Sequence, residues 1–366
     1  MTGNRKATER VVAIEQRLFF CRRNNMDFDK PFRTFEELAV LLRDEHGLAI
    51  GNIEETVQVL RFIPYYDLVN GYKDVLMDGE RFRYPFNITD LLLFHSFDRN
   101  FQSSLMSFST TVEDYFKNVL AYVIAKNFSV SEEKYLDERH YSRKHSHTGN
   151  NITRHDVLDR LRKICVQSMD DPTLYYRNHH NHIPPWILLK NASFSLATNL
   201  LVILPPAQKQ EVVDIMLPGS KPWDLRYTVL LYSLTMIRKC RNIIAHNLKF
   251  SAFDSSKYMN SLNKQVLRSF ISPNLLSTLE IRRGKYLTGI YGYIVLSLSL
   301  MPNGIFKAGL INRLAQALDM DGLANIKPMT RIVQNIRTIY FDGHHLPQDL
   351  QMRLLNYLKQ TLPPKS

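Results

Sequence analysis

Apolar residues recur along most of this chain at the three-to-four-residue spacing of one helix face. Proline and glycine separate the apolar runs, and few stretches show the alternation of apolar and polar residues that marks a half-buried strand. The pattern therefore predicts a mainly α-helical chain whose helices each bury one face.

The first two predicted helices form a small N-terminal module. Thr34 and Glu37 have the spacing of a capping box, which predicts a helix over residues 35–44. A second helix is predicted from Asn52 to just before Pro64. The pair resembles a helix-turn-helix domain, a generic likeness that many proteins share without binding nucleic acid.

An aromatic segment follows this module. Residues 65–72 leave the helical periodicity and are expected to turn at Asn70 and Gly71. Its tyrosines either stack on bases or pack beneath the turn, and the sequence leaves both uses open. The candidate stacking residues are Tyr65, Tyr66 and Tyr72.

Longer apolar runs predict the core helices. Residues 89–128 fit two helices in succession. Residues 183–204 begin with two prolines and a tryptophan and fit one helix, and residues 223–246 fit another. After a polar stretch, helices are predicted over residues 274–301 and 303–318.

Basic residues are concentrated in the middle of the chain. Residues 137–151 offer no apolar face and are expected to form an exposed loop. Seven Lys or Arg residues and two Asp residues lie between positions 139 and 163. This basic strip is either a set of phosphate contacts or a solvated loop and helix face. Its members are Arg139, Arg143, Lys144, Arg154, Arg160, Arg162 and Lys163.

Histidines also cluster in this region. They are His140, His145, His147 and His155, followed by His179, His180 and His182. Few carboxylates accompany them and no cysteine stands within either cluster, so a surface location is favoured over a metal site. No metal or other cofactor is expected.

Composition and charge narrow the class of protein. The 366 residues are 45% hydrophobic and 22% charged, as in a soluble globular protein. The net charge of +12 favours a polyanionic partner, with nucleic acid ahead of an anionic membrane surface. The three cysteines lack a C-x-x-C spacing and the N-terminal segment is too polar for a secretory signal, so a cytoplasmic location is expected. The 16 uncharged residues 286–301 fall short of the ~20 that span a bilayer and predict a buried core helix.

Chemistry is concentrated at the end of the helix predicted over residues 223–246. Arg241, Asn242 and His246 put a fixed cation, an amide and a titratable imidazole on one short segment. Metal-independent RNA cleavage needs a proton shuttle near neutral pH and a positive group facing the charge that builds on phosphorus oxygens. The alternative is a helix-end histidine beside a surface arginine.

The spacing of this motif has a geometric consequence. Five residues advance a regular helix by about 500°, which leaves Arg241 and His246 about 140° apart around the axis. A frayed helix end, or an arginine from one protomer with a histidine from the other, would bring them to one phosphate.

Several separated pieces of the chain, taken together, resemble the Abi-like abortive-infection proteins of bacteria, whose core is a helical HEPN domain. The pieces span residues 30–250. They are Lys30-Pro31 with Gly47-Leu48, Ile63 to Tyr66 with Asn70 to Tyr72, Val112-Glu113, Pro184 to Trp186 with Ser193 to Leu196, and Arg241-Asn242 ending in His246.

The resemblance implies a HEPN-type helical bundle in which Arg241, Asn242 and His246 form the ribonuclease motif. It also implies that two such motifs meet across a homodimer and that a structured partner RNA holds the protein in check. The chain is then divided into a helical module over 1–85, a HEPN-like core over 86–260 with the basic insertion at 137–182, and a C-terminal helical extension over 261–366.

Three functions follow as hypotheses. The first is a cytoplasmic, metal-independent endoribonuclease of phage defence, in which His246 is the general acid or base, Arg241 stabilises the phosphorane and Asn242 orients. The second is a non-catalytic HEPN protein that dimerises and forms a ribonucleoprotein with a noncoding RNA. The third is a DNA-binding regulator that uses residues 34–63, against which Glu54 and Glu55 count because they open its second helix.

Overall fold

Helices dominate the computed structural model. It describes residues 30–147, 150–248, 250, 253–255, 267–302, 304–319 and 330–361, with the backbone alone at 144–147, 150–152 and 330–335. Among these residues strands occur only as two short antiparallel hairpins. The prediction of a mainly α-helical chain is confirmed.

The helices and strands follow one another along the chain in a simple order. In the N-terminal part they are α1 Phe35–Asp44, α2 Ile53–Phe62, α3 Tyr65–Leu68, a 3-10 turn Asn70–Tyr72, α4 Lys73–Leu76, β1 Met77–Asp78 and β2 Arg81–Phe82. In the middle they are α5 Ile88–Asn127, α6 Glu132–Tyr135, a 3-10 turn Glu138–His140, β3 Lys144–His147, β4 Asn150–Thr153, α7 Arg154–Gln167, α8 Thr173–His179, α9 Pro185–Asn191, α10 Phe194–Ile203, α11 Pro206–Met216 and α12 Trp223–Ala245. In the C-terminal part they are α13 Thr278–Arg283, α14 Ile290–Leu300, α15 Ile305–Ala317, α16 Thr330–Gly343 and α17 Leu350–Thr361.

The two N-terminal helices begin where the sequence predicts. The Thr34 hydroxyl accepts a hydrogen bond from the Glu37 backbone N–H, and the Glu37 carboxylate accepts one from the Thr34 N–H at 2.7 Å. The Asn52 side chain caps α2 by accepting from the Glu54 N–H at 2.9 Å. Each cap pairs backbone donors that the helix itself leaves unsatisfied.

The aromatic segment 65–72 differs from its prediction because it folds as short helical turns. Leu68 and Tyr72 point inward from these turns and are buried. Elements of three or four residues are too short to display a helical period in sequence, which explains the error.

The two core helices predicted over residues 89–128 are one 40-residue helix, α5. It contains no glycine or proline, and Asn87 and Asp90 form a capping box at its start. At 1.5 Å per residue it is about 60 Å long. Phe94, Phe101 and Phe108 are fully buried along it, so α5 is the central element of the core.

Two further predictions need correction. Residues 144–153 form the β3–β4 hairpin, so the stretch predicted as an exposed loop is partly paired strand; residues 148–149 lie outside the described residues. The single helix predicted over 183–204 is two helices, because Ser193 caps α10 by accepting from the Leu196 N–H at 3.2 Å.

The C-terminal core shows a similar division. The helix predicted over 274–301 is split into α13 and α14, because Gly284 adopts a left-handed conformation (φ 69°) that ends α13. The buried helix predicted within 286–301 is confirmed as α14, where Tyr293, Ile294 and Val295 are fully buried. Across the described part of the chain, the search for a helix with the length and hydropathy of a bilayer span returned none.

Candidate functional site

The candidate site lies at the C-terminal end of α12. The helix ends at Ala245, and the N–H of His246 still donates to the Asn242 carbonyl at 3.0 Å. The boundary predicted at residue 246 is therefore correct, and the helix is not frayed there. Arg241 and His246 keep the separation of about 140° that a regular helix imposes.

Helix α12 runs antiparallel to α5. Arg241 lies opposite Glu113, with 4.0 Å between the Arg241 Nε and Glu113 Oε2 atoms. Further along α12, just past its end, Asn247 meets Arg99, which is earlier on α5. The residue numbers of the contacts decrease along α5 as they increase along α12, which is the signature of antiparallel helices. The motif therefore packs against the middle of the long helix.

The Glu113 carboxylate lies between two cations, Arg241 of α12 and Lys117 of α5. The Glu113 carboxylate is 2.6 Å from the Lys117 ammonium group one turn along α5, and their side chains are only 12% and 11% exposed. Burying this pair costs desolvation, which close ion pairing offsets in part. Sequence reasoning gave Glu113 only as part of the family resemblance and missed Lys117, although their i,i+4 spacing in an apolar helix was visible.

Arg241 presents part of its guanidinium group to solvent. Its side chain is 36% exposed, and one Nη donates to the Asn242 side-chain oxygen at 3.3 Å. Its Nε is buried and makes no hydrogen bond with any described residue. The guanidinium is therefore held at one end and retains donors for an anion.

His246 is exposed, as is Ala245 beside it. No hydrogen bond joins its imidazole to the residues that the structure describes. Asn242 contacts Arg241 through its side chain, which makes it a positioner of the guanidinium rather than of the imidazole in this conformation.

Asn247 fixes the chain just after the motif. It has a left-handed conformation (φ 53°), its amide nitrogen donates to Asp67 at 2.8 Å, and its side-chain oxygen accepts from Arg99. Asparagine is one of the few residues that adopts this conformation readily at a helix end. Sequence reasoning missed these contacts, which join residues far apart in the chain.

The three candidate stacking tyrosines have different surroundings. Tyr66 is 53% exposed, whereas Tyr65 is half-buried and burial raises its pKa to about 12. Tyr72 is 6% exposed, and its hydroxyl donates to Asp98 at 2.7 Å. Tyr72 therefore packs beneath the turn, which is the other use that the sequence left open. It is too buried to stack on a base.

Asp98 joins three parts of the chain. Its carboxylate, only 2% exposed, also accepts hydrogen bonds from Gln102 at 2.6 Å and from Tyr340 of α16 at 2.6 Å. The aromatic segment, α5 and the C-terminal helices are thus tied together directly behind the turn that carries Asn247.

The basic strip is partly neutralised. Arg139 pairs with Asp137, while Arg154 and Arg162 bond to backbone carbonyls and to acids nearby. No ion pair joins the exposed Arg143, Arg160 and Lys163 to a described carboxylate, so the charges of these three side chains are uncompensated. The side chain of Lys144 lies outside the described residues.

The described histidines of the two clusters contact other side chains. His155 contacts Glu138, and His179 stacks on Tyr175 with 4.3 Å between ring centroids. Within the part of the chain that the structure describes, no group of three or more His, Cys, Asp or Glu side chains has the arrangement of a metal site.

A comparison with protein families matches residues 58–251, which is more than half of the chain, to a family described as Abi-like protein. The matched segment runs from the end of α2 through α5 and α12 and includes the motif at residues 241–246. No curated protein and no solved structure matches the chain.

Proposed function

The chain belongs to the Abi-like protein family, and from this membership together with the side chains at the end of α12 we propose that it is an abortive-infection protein of phage defence that cleaves RNA without a metal ion. The observation that carries the proposal is the partly exposed Arg241 guanidinium beside Asn242, with the exposed His246 imidazole at the helix end.

Each side chain has a role in transesterification. An imidazole takes the proton from the RNA 2′-hydroxyl as its oxygen attacks phosphorus, and an imidazolium gives a proton to the departing 5′-oxygen. The P–O5′ bond breaks, leaving a 2′,3′-cyclic phosphate and a 5′-hydroxyl. Arg241 stabilises the charge on the phosphorane oxygens, and Asn242 holds Arg241. DNA, which lacks the 2′-hydroxyl, is not cut.

The proposed function includes a homodimer. Because one regular helix directs Arg241 and His246 apart, the site is completed in a homodimer, with the arginine of one protomer and the histidine of the other. A structured RNA bound at rest would cover this cleft and restrain it. Exposed cations of the basic strip supply further phosphate contacts.

The test is cleavage by RNA-free protein in the presence of EDTA. We expect His246→Ala to lower the rate by at least the ~10²-fold typical of a lost general acid or base. The matched control, His180→Ala, removes an exposed imidazole outside the motif and should cleave as the parent does. Equal rates for His246→Ala and the parent would overturn the catalytic assignment.

The second candidate is a ribonucleoprotein without catalysis, favoured by the separation of Arg241 from His246 within one protomer. It predicts a discrete RNA that co-purifies when no nuclease is added, together with no cleavage by the RNA-free protein. Sequencing the bound RNA and analysing product ends for a cyclic phosphate distinguishes the two candidates.

A further inference from the structure

A second arginine lies one turn before Arg241 on α12. With about 100° per residue, Arg238 projects some 60° from Arg241 around the helix axis, on the side toward His246, which stands at about 140°. Arg238 therefore occupies the angular gap between the cation and the imidazole of the motif. Ala245, at about 40°, is small and exposed, and Asn242, at about 100°, lies in the same sector of the helix surface.

Arg238 is partly buried but poorly paired. Its Nε is buried and makes no hydrogen bond with any described residue, and no ion pair joins it to a described carboxylate. Burial lowers the pKa of its guanidinium from the usual value. Leaving a partly buried cation with an unpaired Nε–H donor opposes folding unless a ligand supplies the acceptor.

Two other arginines of low exposure are satisfied by internal partners. Arg226, on the same helix and only 6% exposed, donates to the Asp214 carboxylate at 2.6 Å and to the carbonyls of Lys221 and Leu217. Arg353 pairs with two carboxylates. Arg226 and Arg353 thus have carboxylate or carbonyl acceptors within the fold, whereas the Nε of Arg238 has none among the described residues.

Glu113, the carboxylate of α5 that lies opposite this part of α12, is already shared by two cations. Since α12 and α5 are antiparallel and Arg241 is level with Glu113, stepping back one turn on α12 brings Arg238 toward the level of Lys117. Glu113 already lies 2.6 Å from Lys117 and 4.0 Å from Arg241. Glu113 is thus already shared between Lys117 and Arg241, and no ion pair joins it to Arg238.

We propose that Arg238 binds a phosphate of the RNA substrate adjacent to the one that is cleaved. The planar guanidinium fork suits two phosphate oxygens, and its place one turn before Arg241, rotated toward the side of His246, sets the register of the strand along the helix. Arg238 is a substrate-binding residue that takes no part in proton transfer. The RNA in this inference rests on the proposed function.

The experiment measures binding separately from cleavage. The probe is a short fluorescent single-stranded RNA with every 2′-hydroxyl methylated, which cannot be cleaved, titrated with full-length protein at several salt concentrations. We expect Arg238→Gln to weaken binding and to reduce the slope of log affinity against log salt by about 0.7, the value for one lost phosphate contact on a single strand. Arg238→Lys keeps the charge, so it should retain the slope with part of the affinity.

Arg283→Gln is the matched control, because it removes an exposed arginine at the end of α13. Parent-like affinity and slope for Arg238→Gln, or an equal loss in Arg283→Gln, would overturn the proposal. Thermal unfolding adds a readout for a purely structural role: such an arginine would lower Tm when replaced, whereas relief of an unpaired buried cation leaves Tm unchanged or raises it.

Cleavage kinetics separate this inference from the proposed function. With a cleavable RNA, Arg238→Gln should raise KM at nearly constant kcat, while His246→Ala lowers kcat. If the parent cleaves no RNA, the catalytic proposal fails, yet the binding titration with the methylated probe still decides the role of Arg238.

Discussion

Glu113 connects stability with chemistry at the scale of single residues. Its buried carboxylate pairs closely with Lys117 and, at longer range, with Arg241 of the motif. A buried ion pair contributes little net stability over an apolar pair, but removal of one partner leaves an uncompensated charge. The two effects can be separated by substitution.

We expect Glu113→Gln to lower the free energy of unfolding by about 3 kcal/mol, because it leaves Lys117 buried without its counterion. Glu113→Gln/Lys117→Met should recover most of that stability without recovering RNA cleavage, since Arg241 still lacks its carboxylate. Urea unfolding and cleavage assays measure the two properties. The control Glu133→Gln, at an exposed position, should match the parent in both. Full cleavage activity in the double variant would show that Glu113 only balances charge.

At the scale of elements, the end of α12 depends on Asn247. This residue supplies both a left-handed backbone conformation and two side-chain bonds, one to Asp67 and one to Arg99. Because Asn247 follows His246 directly, these contacts fix the direction of the backbone that carries the imidazole.

Two substitutions distinguish these contributions. Asn247→Gly keeps the backbone conformation and loses the side-chain bonds, whereas Asn247→Ala loses both. We expect Asn247→Ala to be the less stable variant by about 1 kcal/mol, the usual penalty for a residue with a Cβ in this conformation. Both should cleave RNA more slowly than the parent. Thermal unfolding and initial rates test this, and equal stability of the two variants would contradict the backbone argument.

The elements also show where sequence reasoning succeeded. Capping residues are local signals, so the starts of α1 and α2 and the end of α12 were predictable. Residues 89–128 were predicted as two helices, and the bond from Tyr340 to the buried Asp98 of the single helix α5 comes from 242 residues away. Arg241, Asn242 and His246 were found from their local spacing, whereas Asp67 and Arg99 reach the site only through tertiary packing.

At the scale of the whole molecule, buried tyrosines make stability depend on alkaline pH. Burial raises the pKa of Tyr227 to about 12, and the pKa values of Tyr72 and Tyr340, which donate to Asp98, are also raised. A tyrosine whose pKa is raised in the folded protein contributes its full stabilisation below about pH 10, the pKa in the unfolded chain. That contribution is lost as the pH rises through the pKa in the folded protein.

The protein should therefore keep its stability up to about pH 9 and lose it progressively above pH 10, where tyrosines of the unfolded chain ionise. Tm measured across this range, with tyrosinate absorbance recorded in parallel, tests the expectation. Tyr340→Phe is the informative variant: it removes a hydrogen bond to a buried carboxylate, so it should be less stable at neutral pH and show a shallower alkaline decline. A parent Tm that is flat to pH 11 would contradict the argument.

The proposed homodimer is the largest unit on which the proposed chemistry depends. A regular α12 holds Arg241 and His246 about 140° apart, so within one protomer the two side chains face different directions. Two α12 ends that meet about a twofold axis present the arginine of one copy to the histidine of the other. Neither Arg241→Ala nor His246→Ala should then cleave RNA alone.

Co-expression of these two variants under different affinity tags allows the mixed dimer to be isolated. It contains one intact pair, with Arg241 from the His246→Ala protomer and His246 from the Arg241→Ala protomer, and we expect cleavage to return. The control pairs Arg241→Ala with the double variant Arg241→Ala/His246→Ala, which offers no intact combination and should stay inactive. An inactive first mixture would place both groups in one protomer, and α12 would then have to unwind at Ala245 before the phosphate could be reached by both.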